Sequence, residues 1–457
     1  MRHWVVLVAV AVALGACGSD QGPEPVLESV QIGPNEHNVV SAVAVVTATG
    51  FDAAFVRFWR EGEVPQESPR YGFEGGTARV PVLGLHTSTT YVIETSLVLG
   101  DSVVQGVNTS EFRTDTLPDW IPAIGAQGTD TTPGFVALSL PDGPVIVDNT
   151  GRVVWYKHKP DGTINNFQAH PNGRYTLWGG GADTGRQFAV LDELGNEEQI
   201  LKCVGYPTRP HEARMEADGS VWLLCNESRV MDLSGLGGND SALVTGTVVQ
   251  HLSPSGDVLF EWNAFDHFEI TDLPANARTG PGVNLTHGNA LDFDADGNLL
   301  LCFRALAEVT KVNRTTGEVM WRFGGLANEF TVFNDPDWGF VFQHGLRSAG
   351  PGWIQLFDNR RNAPSRFTRY FVNPESKTAL LTIDFRDAPD THSRTGGSTQ
   401  YLSNGHTLVS FGRAGRVVEV DETGSRAWEL TGIDGIYAFR AQRIQSLYRP
   451  GYGDPTH

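Results

Sequence analysis

The chain has 457 residues and a formal net charge of −19 at pH 7, a field that repels nucleic acid and anionic membrane surfaces and so excludes both as partners. That length allows two or three domains and a sizeable core. The 52 glycines and 11 tryptophans, with no long amphipathic helical pattern, exclude a helical protein and indicate an all-β one.

Residues 1–17 read as a targeting segment, with Arg2 as its positive start and Trp4 to Leu14 as an apolar run too short to span a bilayer. The ending Leu14-Gly15-Ala16-Cys17 resembles a bacterial lipobox, whose cysteine is lipidated and becomes the mature N-terminus; an ordinary signal peptide with a chance cysteine is the plainer alternative. Lipid on Cys17 would anchor the chain to a membrane without spanning it. Gly18 and Ser19 follow with no aspartate directly after the cysteine, which by the same resemblance points to the periplasmic face of the outer membrane. Residues 18–25 form a polar tether.

Residues 26–116 carry strand-like runs at Val39–Ala48, Ala54–Trp59, Thr77–Val82, Val92–Leu99 and Val103–Arg113, punctuated by Gly and Pro. Leu85, a polar turn and Tyr91 opening a strand resemble the tyrosine corner of immunoglobulin-like and fibronectin type III sandwiches; a plain hairpin with a surface tyrosine also fits. No site is evident here, and spacing or docking is the expected role.

After the linker Asp115-Thr116-Leu117-Pro118 the pattern becomes periodic over residues 119–449. The stretch Asn284 to Gly325 shows the unit: strands at Asn289–Phe293, Leu299–Phe303, Val309–Asn313 and Val319–Phe323, separated by DADG and TTG turns. Four strands in so short a stretch make one β-propeller blade. The second hairpin of a blade turns at Gly151, Gly195, Gly256, Gly317, near Ser376 and at Gly424; the first turns at Gly173, Gly219, Gly297, Gly352 and Gly405. Six turns of one kind and five of the other predict a six-bladed ring whose first blade joins strands from Phe135 to Tyr156 with one from the C-terminal run Tyr437 to Tyr448. Closure of this kind removes exposed sheet edges.

The cysteines beyond Cys17 are Cys203, Cys225 and Cys302. A Cys203–Cys225 disulfide and three unpaired buried thiols both fit, and the spacing matches no zinc site. Asp292, Asp294 and Asp296 before Gly297 begin like a calcium loop, yet Phe303 stands where the closing carboxylate belongs, so an ordinary turn is expected. No metal or cofactor is called for.

The first-hairpin glycines set a common register. Eight residues before them stand Asn165, His211, Asn289, His344 and Gly397; seven after them stand Gly180, Asn226, Arg304, Asn359 and Gly412. A hairpin returns to the end it left, and His287 shares a pleat side with Asn289. The register therefore gathers His211, His287, His344, Asn289 and Arg304 at one mouth of the propeller channel. An unprotonated imidazole is a good nucleophile near neutral pH, and arginine offers a planar fork of donors to sulfate, phosphate or carboxylate oxygens. The neutral amide of Asn289 adds a donor where charge develops. His158, His170, His392 and His406 fall outside this frame and read as surface or loop; Arg360-Arg361 reads as a solvated loop, with a place bordering the channel mouth as the alternative.

Over roughly Trp120 to Tyr448 the chain resembles the bacterial arylsulfotransferases, which transfer a sulfuryl group without a nucleotide donor. The motifs are His211-Glu212, His287-Gly288-Asn289 with Arg304, Gln343-His344, and Phe439-Arg440-Ala441 running on to Ser446-Leu447-Tyr448. The resemblance implies that His344 is transiently sulfated, that Arg304 and Asn289 hold the sulfuryl oxygens, and that His211 and His287 assist binding and proton transfer. It implies small-molecule aryl sulfates and phenols as partners and a ping-pong reaction. Two departures stand out: no pair of closely spaced cysteines precedes His344, and the polar residue at the entry to the last blade could be Thr395, Ser398 or Thr399. A non-catalytic propeller that binds a ligand or protein, and a hydrolase passing the group to water, are the competing functions. Oligomeric state is not readable from the sequence.

Overall fold

The computed structural model describes residues 5–8 (backbone only), 24–160, 166–180 and 187–449. Cys17, nearly all of the expected leader, most of the tether and Asn165 lie outside the described residues. The chain divides into two compact units: Met1–Ile121 with Val153–His158 and Glu193–Asn196, and Pro122–Arg152 with Lys159–Asp192 and Glu197–His457. Among the described residues the regular elements are strands and single 3-10 turns, as an all-β composition requires.

In the first unit, Val26–Pro34, Ala42–Thr49 and Thr77–Val82 pair in one antiparallel sheet, with Val5–Val8 alongside the first of them. A second sheet joins Ala53–Trp59, Thr90–Leu99 and Ser102–Arg113, with Gln66–Glu67 and Tyr71–Gly72 at its side. Alternation makes the core: Ala42, Ala44, Val46 and Ala48 from one sheet pack with Ala54, Val56 and Phe58 from the other. Leu85 is fully buried, and the buried Tyr91 accepts a hydrogen bond at Oη from the His86 amide at 2.9 Å.

The larger unit is built, among its described residues, from six sheets. The first joins Gly143–Asp148, Phe135–Leu140 and the C-terminal strand Ala441–Ile444, with Phe135 opposite Ile444. The other five run up and down from the strands Phe167–Ala169, Thr208–Met215, Gly288–Phe293, His344–Ser348 and Ser398–Tyr401. An unanticipated strand, Gly125–Gln127, pairs with Arg426–Thr431 and so ties the start of the unit to its last sheet. Strands Thr208–Met215, Gly288–Phe293, His344–Ser348, Ser398–Tyr401 and Ala441–Ile444 lie side by side in succession, and Phe167–Ala169 follows.

The sequence Leu299-Leu300-Leu301-Cys302-Phe303 shows why these sheets stack. Pleating sends Leu299, Leu301 and Phe303 into the core shared with the preceding sheet, and Leu300 and Cys302 into the core shared with the following one. A strand buried on both faces reads as an unbroken apolar run, and each large side chain so buried contributes about 1.5–3 kcal/mol. The glycines at the predicted hairpin turns all adopt φ between 75° and 91°, the left-handed region the turns demand. Cys203 and Cys225 form a disulfide between the link from one sheet and the second strand of the next; Cys302 is a buried free thiol.

Candidate functional site

Three neighbouring inner strands lose their ladder register just where they carry the predicted site. Thr208 to Ala213 spans five residues against two on its partner, Gly288 to Ala290 spans two against one, and His344 to Arg347 spans three against two. Such bulges re-aim side chains that a regular strand would hold in its pleat. They fall on His211, on Asn289 and at His344. His287 and Phe342, in the approaches to two of these strands, are held at φ 50° and 61°, and Gly345 at φ 59°. Left-handed backbone at non-glycine residues costs on the order of 1–3 kcal/mol each and persists where the surroundings over-determine it.

The geometry brings the five register residues together. The rings of His211 and His287 meet edge to face with centroids 5.2 Å apart. The Arg304 amide donates to the His287 carbonyl at 3.1 Å, and its guanidinium lies 4.5 Å from the Phe342 ring centroid. Asn289 Nδ2 donates to the Gln343 carbonyl at 2.7 Å, fixing the residue before His344. Its Oδ1 is buried with no hydrogen-bond partner, as is His211 Nδ1.

His344 is the most constrained member. Its Nδ1 faces the Phe342 carbonyl at 3.0 Å and Asn359 Oδ1 at 2.7 Å. Asn359 Nδ2 is itself committed to the carbonyls of Ser393 and Gly396 at 2.8 and 2.9 Å, so its oxygen is the atom presented to His344. Both partners of Nδ1 can only accept, hence Nδ1 carries the proton and Nε2 keeps its lone pair. Burial pushes the His344 pKa down to about 4, against the opposing Asn359 bond and with Arg304 adding to the fall. Burial likewise lowers His287 to about 3, with Arg304 and His344 contributing, and drives His211 well below its ordinary value. The cluster is therefore three neutral imidazoles at pH 7.

A charged layer supports it. Glu212 is fully buried; Arg347 grips both its oxygens at 3.1 and 3.2 Å, and Arg440 reaches Oε2 at 3.2 Å. Burial alone would raise this carboxyl, but Arg347, Arg440 and Arg214 hold it below its usual range. Arg440 also donates to the His211 carbonyl at 3.1 Å, and Asn166 Nδ2 to the same oxygen at 2.9 Å, which clamps the bulge that carries His211.

Sequence reasoning missed several of these parts. Asn359 stood in the register with no role attached. Arg440 and Glu212 stood in motifs without a structural reason, and Asn166, which holds the His211 carbonyl, was not singled out. Arg209 was not singled out at all. His170 and His406 lie in loops, one of the two placements expected, but are buried: His170 is bonded to Thr176 Oγ1 at 2.7 Å, and His406 packs against Glu419 at 3.1 Å. Each flanks a first-hairpin turn, and a loop position in the sequence conceals its burial. His392 is exposed, and His158 stacks on Trp120 with centroids 5.1 Å apart. Of the three polar candidates at the last sheet, Ser398 and Thr399 are buried and bond backbone, whereas Thr395 is exposed. Asp294 and Asp296 both pair with Lys311, at 2.5 and 2.7 Å, which occupies the carboxylates of the apparent calcium loop.

Residues 207–433 match the family model described as Arylsulfotransferase (ASST). Among curated proteins no match was found. Similar solved structures include a protein of unknown function from Bacteroides caccae, 14% identical over 66% of this chain and 97% of that one, with a TM-score of 0.41. A catalytically inactive virginiamycin B lyase from Staphylococcus aureus with quinupristin is 10% identical over 86% and 99%, with a TM-score of 0.38. A putative 6-phosphogluconolactonase from Bacteroides uniformis is 11% identical over 86% and 99%, also at 0.38. At such TM-scores none of these likenesses bears on what the site does.

Proposed function

The chain belongs to the arylsulfotransferase family through residues 207–433, and we propose on that premise that its larger unit moves a sulfuryl group from an aryl sulfate to a phenolic acceptor by a ping-pong reaction through His344. The family implies small-molecule aryl sulfates and phenols as substrates. The observation that carries the reading is the state of His344: Nδ1–H is held by two acceptors, Nε2 is an unprotonated nucleophile, and Arg304 stands nearby with no carboxylate partner among the described residues.

In the first half-reaction His344 Nε2 attacks sulfur, an N–S bond forms, and the S–O bond to the aryl group breaks with its electron pair leaving on the phenolate. Arg304 and Asn289 hold the sulfuryl oxygens. In the second, the acceptor phenol gives its proton to a neutral imidazole, His287 or His211, as its oxygen attacks sulfur and the N–S pair returns to Nε2. The released phenolate takes a proton from solvent and the imidazolium returns one, so the cycle balances.

The six sheets and their succession of inner strands support a six-bladed β-propeller, and the two-sheet first unit with its Tyr91 hydrogen bond supports an immunoglobulin- or fibronectin III-like sandwich. Export with lipid on Cys17, at the periplasmic face of the outer membrane, completes the proposal and rests on residues 1–19 alone. Intact-mass measurement of the envelope-purified chain, expected to show diacylglycerol on a new N-terminal Cys17, tests that part.

The catalytic part is tested by release of p-nitrophenol from p-nitrophenyl sulfate, with and without phenol, in wild type and His344→Ala. Phenol-dependent release that disappears in the variant is expected. Release indifferent to phenol would make the protein a hydrolase, and none with any acceptor would leave a binding module.

A further inference from the structure

Arg209 is the unassigned group nearest the chemistry. It lies within the bulge that carries His211, in the run Thr208-Arg209-Pro210-His211, whose Pro210 and His211 carbonyls are pinned by Asn166 at 2.9 Å each. Its side chain is only partly exposed, and among the described residues its guanidinium has neither ion pair nor hydrogen bond. Five other arginines of this unit are paired with carboxylates, Arg214 with Asp292, Arg347 and Arg440 with Glu212, Arg366 with Asp335 and Arg443 with Glu419, whereas Arg278 and Arg361, like Arg209, have no carboxylate partner among the described residues. A half-buried cation left unpaired is costly unless a ligand supplies the anion. Among the described residues Arg304 and Arg361, both over the Phe342 ring, also lack a carboxylate partner, and Arg304 differs from Arg209 in the histidines it acts on. Arg304 acts on both His287 and His344; Arg209 acts on His211 and His287, while the arginines felt most at His344 are Arg304 and Arg440.

In-line displacement at sulfur puts the departing oxygen on the side opposite the attacking nitrogen. With His344 Nε2 as nucleophile, we place the departing oxygen toward His211 and His287, whose rings touch, and toward Arg209, which acts on those two histidines and is not among the groups felt most at His344. We propose that Arg209 is a catalytic residue that takes up the negative charge on the aryl oxygen as the S–O bond breaks. The inference rests on the sulfuryl-transfer reading above. The guanidinium stays protonated throughout and donates hydrogen bonds to the phenolate, which then leaves and is protonated by solvent. Acceptor attack forms the same kind of S–O bond, so Arg209 also stabilises the charge that develops on the incoming oxygen as its proton passes to the imidazole.

The test uses the whole chain and aryl sulfates whose phenols range from strongly to weakly acidic, with kcat/KM for the donor measured in wild type, Arg209→Ala and Arg209→Lys. A weakly acidic phenol carries more unrelieved charge in the transition state. Arg209→Ala should therefore lose about 100-fold on phenyl sulfate and about tenfold or less on p-nitrophenyl sulfate. Arg209→Lys should recover part of the loss, most of it on the poorer leaving groups. A structural role would lower all donors alike, so equal losses across the series, or no loss, overturn the proposal. Unfolding midpoints of the variants identify a folding failure; if Arg209→Ala does not fold, the slope in Arg209→Lys decides, and a wild-type slope there also overturns it. An active, His344-dependent wild type with an unchanged slope removes Arg209 alone, whereas a wild type that never sulfates His344 removes both readings.

Discussion

At the scale of single residues, the site turns on which nitrogen of His344 is free. Asn359 decides it, because its own amide is locked to two carbonyls and can offer only its oxygen to Nδ1. Asn359→Ala should leave donor binding nearly intact and lower kcat by about 10–100-fold, the usual effect of removing an outer partner that orients a reactive imidazole. Asn359→Asp keeps an acceptor there but adds a negative charge, so it should raise the His344 pKa above about 4 and move the acid limb of the pH–rate profile upward. Both are read from steady-state kinetics across pH; an unchanged acid limb in Asn359→Asp would mean that another group controls it. Cys302, in contrast, is driven to about 12 by burial and stays a thiol at every working pH, so its replacement by alanine or serine should affect packing only.

At the scale of strands, the turn glycines made much of this fold legible. Leu299–Phe303 and Thr77–Val82 were read to the residue, and the C-terminal strand pairs with Phe135–Leu140 as closure required. The eight-back register converged on His211, Asn289 and His344 because the bulges sit at one level in neighbouring strands, so the count carries over from sheet to sheet. The bulges themselves were not legible, since an extra residue in a strand leaves no mark in hydrophobic alternation. Nor were Gly125–Gln127, whose three residues are too few for a pattern, and the buried His170 and His406, whose partners come from other strands. Gly345 shows what a bulge demands. At φ 59° it lies so close to the next sheet that an added Cβ would stand 2.5 Å from Ser398 Cα. Gly345→Ala should therefore cost about 2 kcal/mol or more and displace His344 from Asn359. A lower urea midpoint together with a fall in kcat is expected; a fully active, equally stable variant would show that the strand can relax around it.

At the scale of the whole molecule, the chain sets a cluster of neutral histidines inside an acidic protein of net charge −19. That neutrality has a thermodynamic consequence with a definite sign. In the unfolded chain a histidine takes up its proton near pH 6.5. In the folded chain His344 does so only near 4, and His170 and His287 only near 3, because burial penalises the charged ring. Between those values the unfolded state holds more protons, so stability is complete above pH 6.5 and falls as pH drops toward 4. His344 alone accounts for about 3 kcal/mol over that window. Glu308 and Asp358, raised by burial, act in the opposite sense and offset part of the decline at the acid end of the window. Urea unfolding followed by tryptophan fluorescence should show a midpoint that is flat from pH 8 to 7 and then declines steadily to pH 4.5. Replacing His170, which is buried away from the proposed chemistry and bonded to Thr176, by glutamine should make that decline shallower without moving the acid limb of catalysis. A midpoint independent of pH across the window would mean that these imidazoles take up their protons in the folded protein at the same pH as in the unfolded chain, so that burial does not hold them neutral.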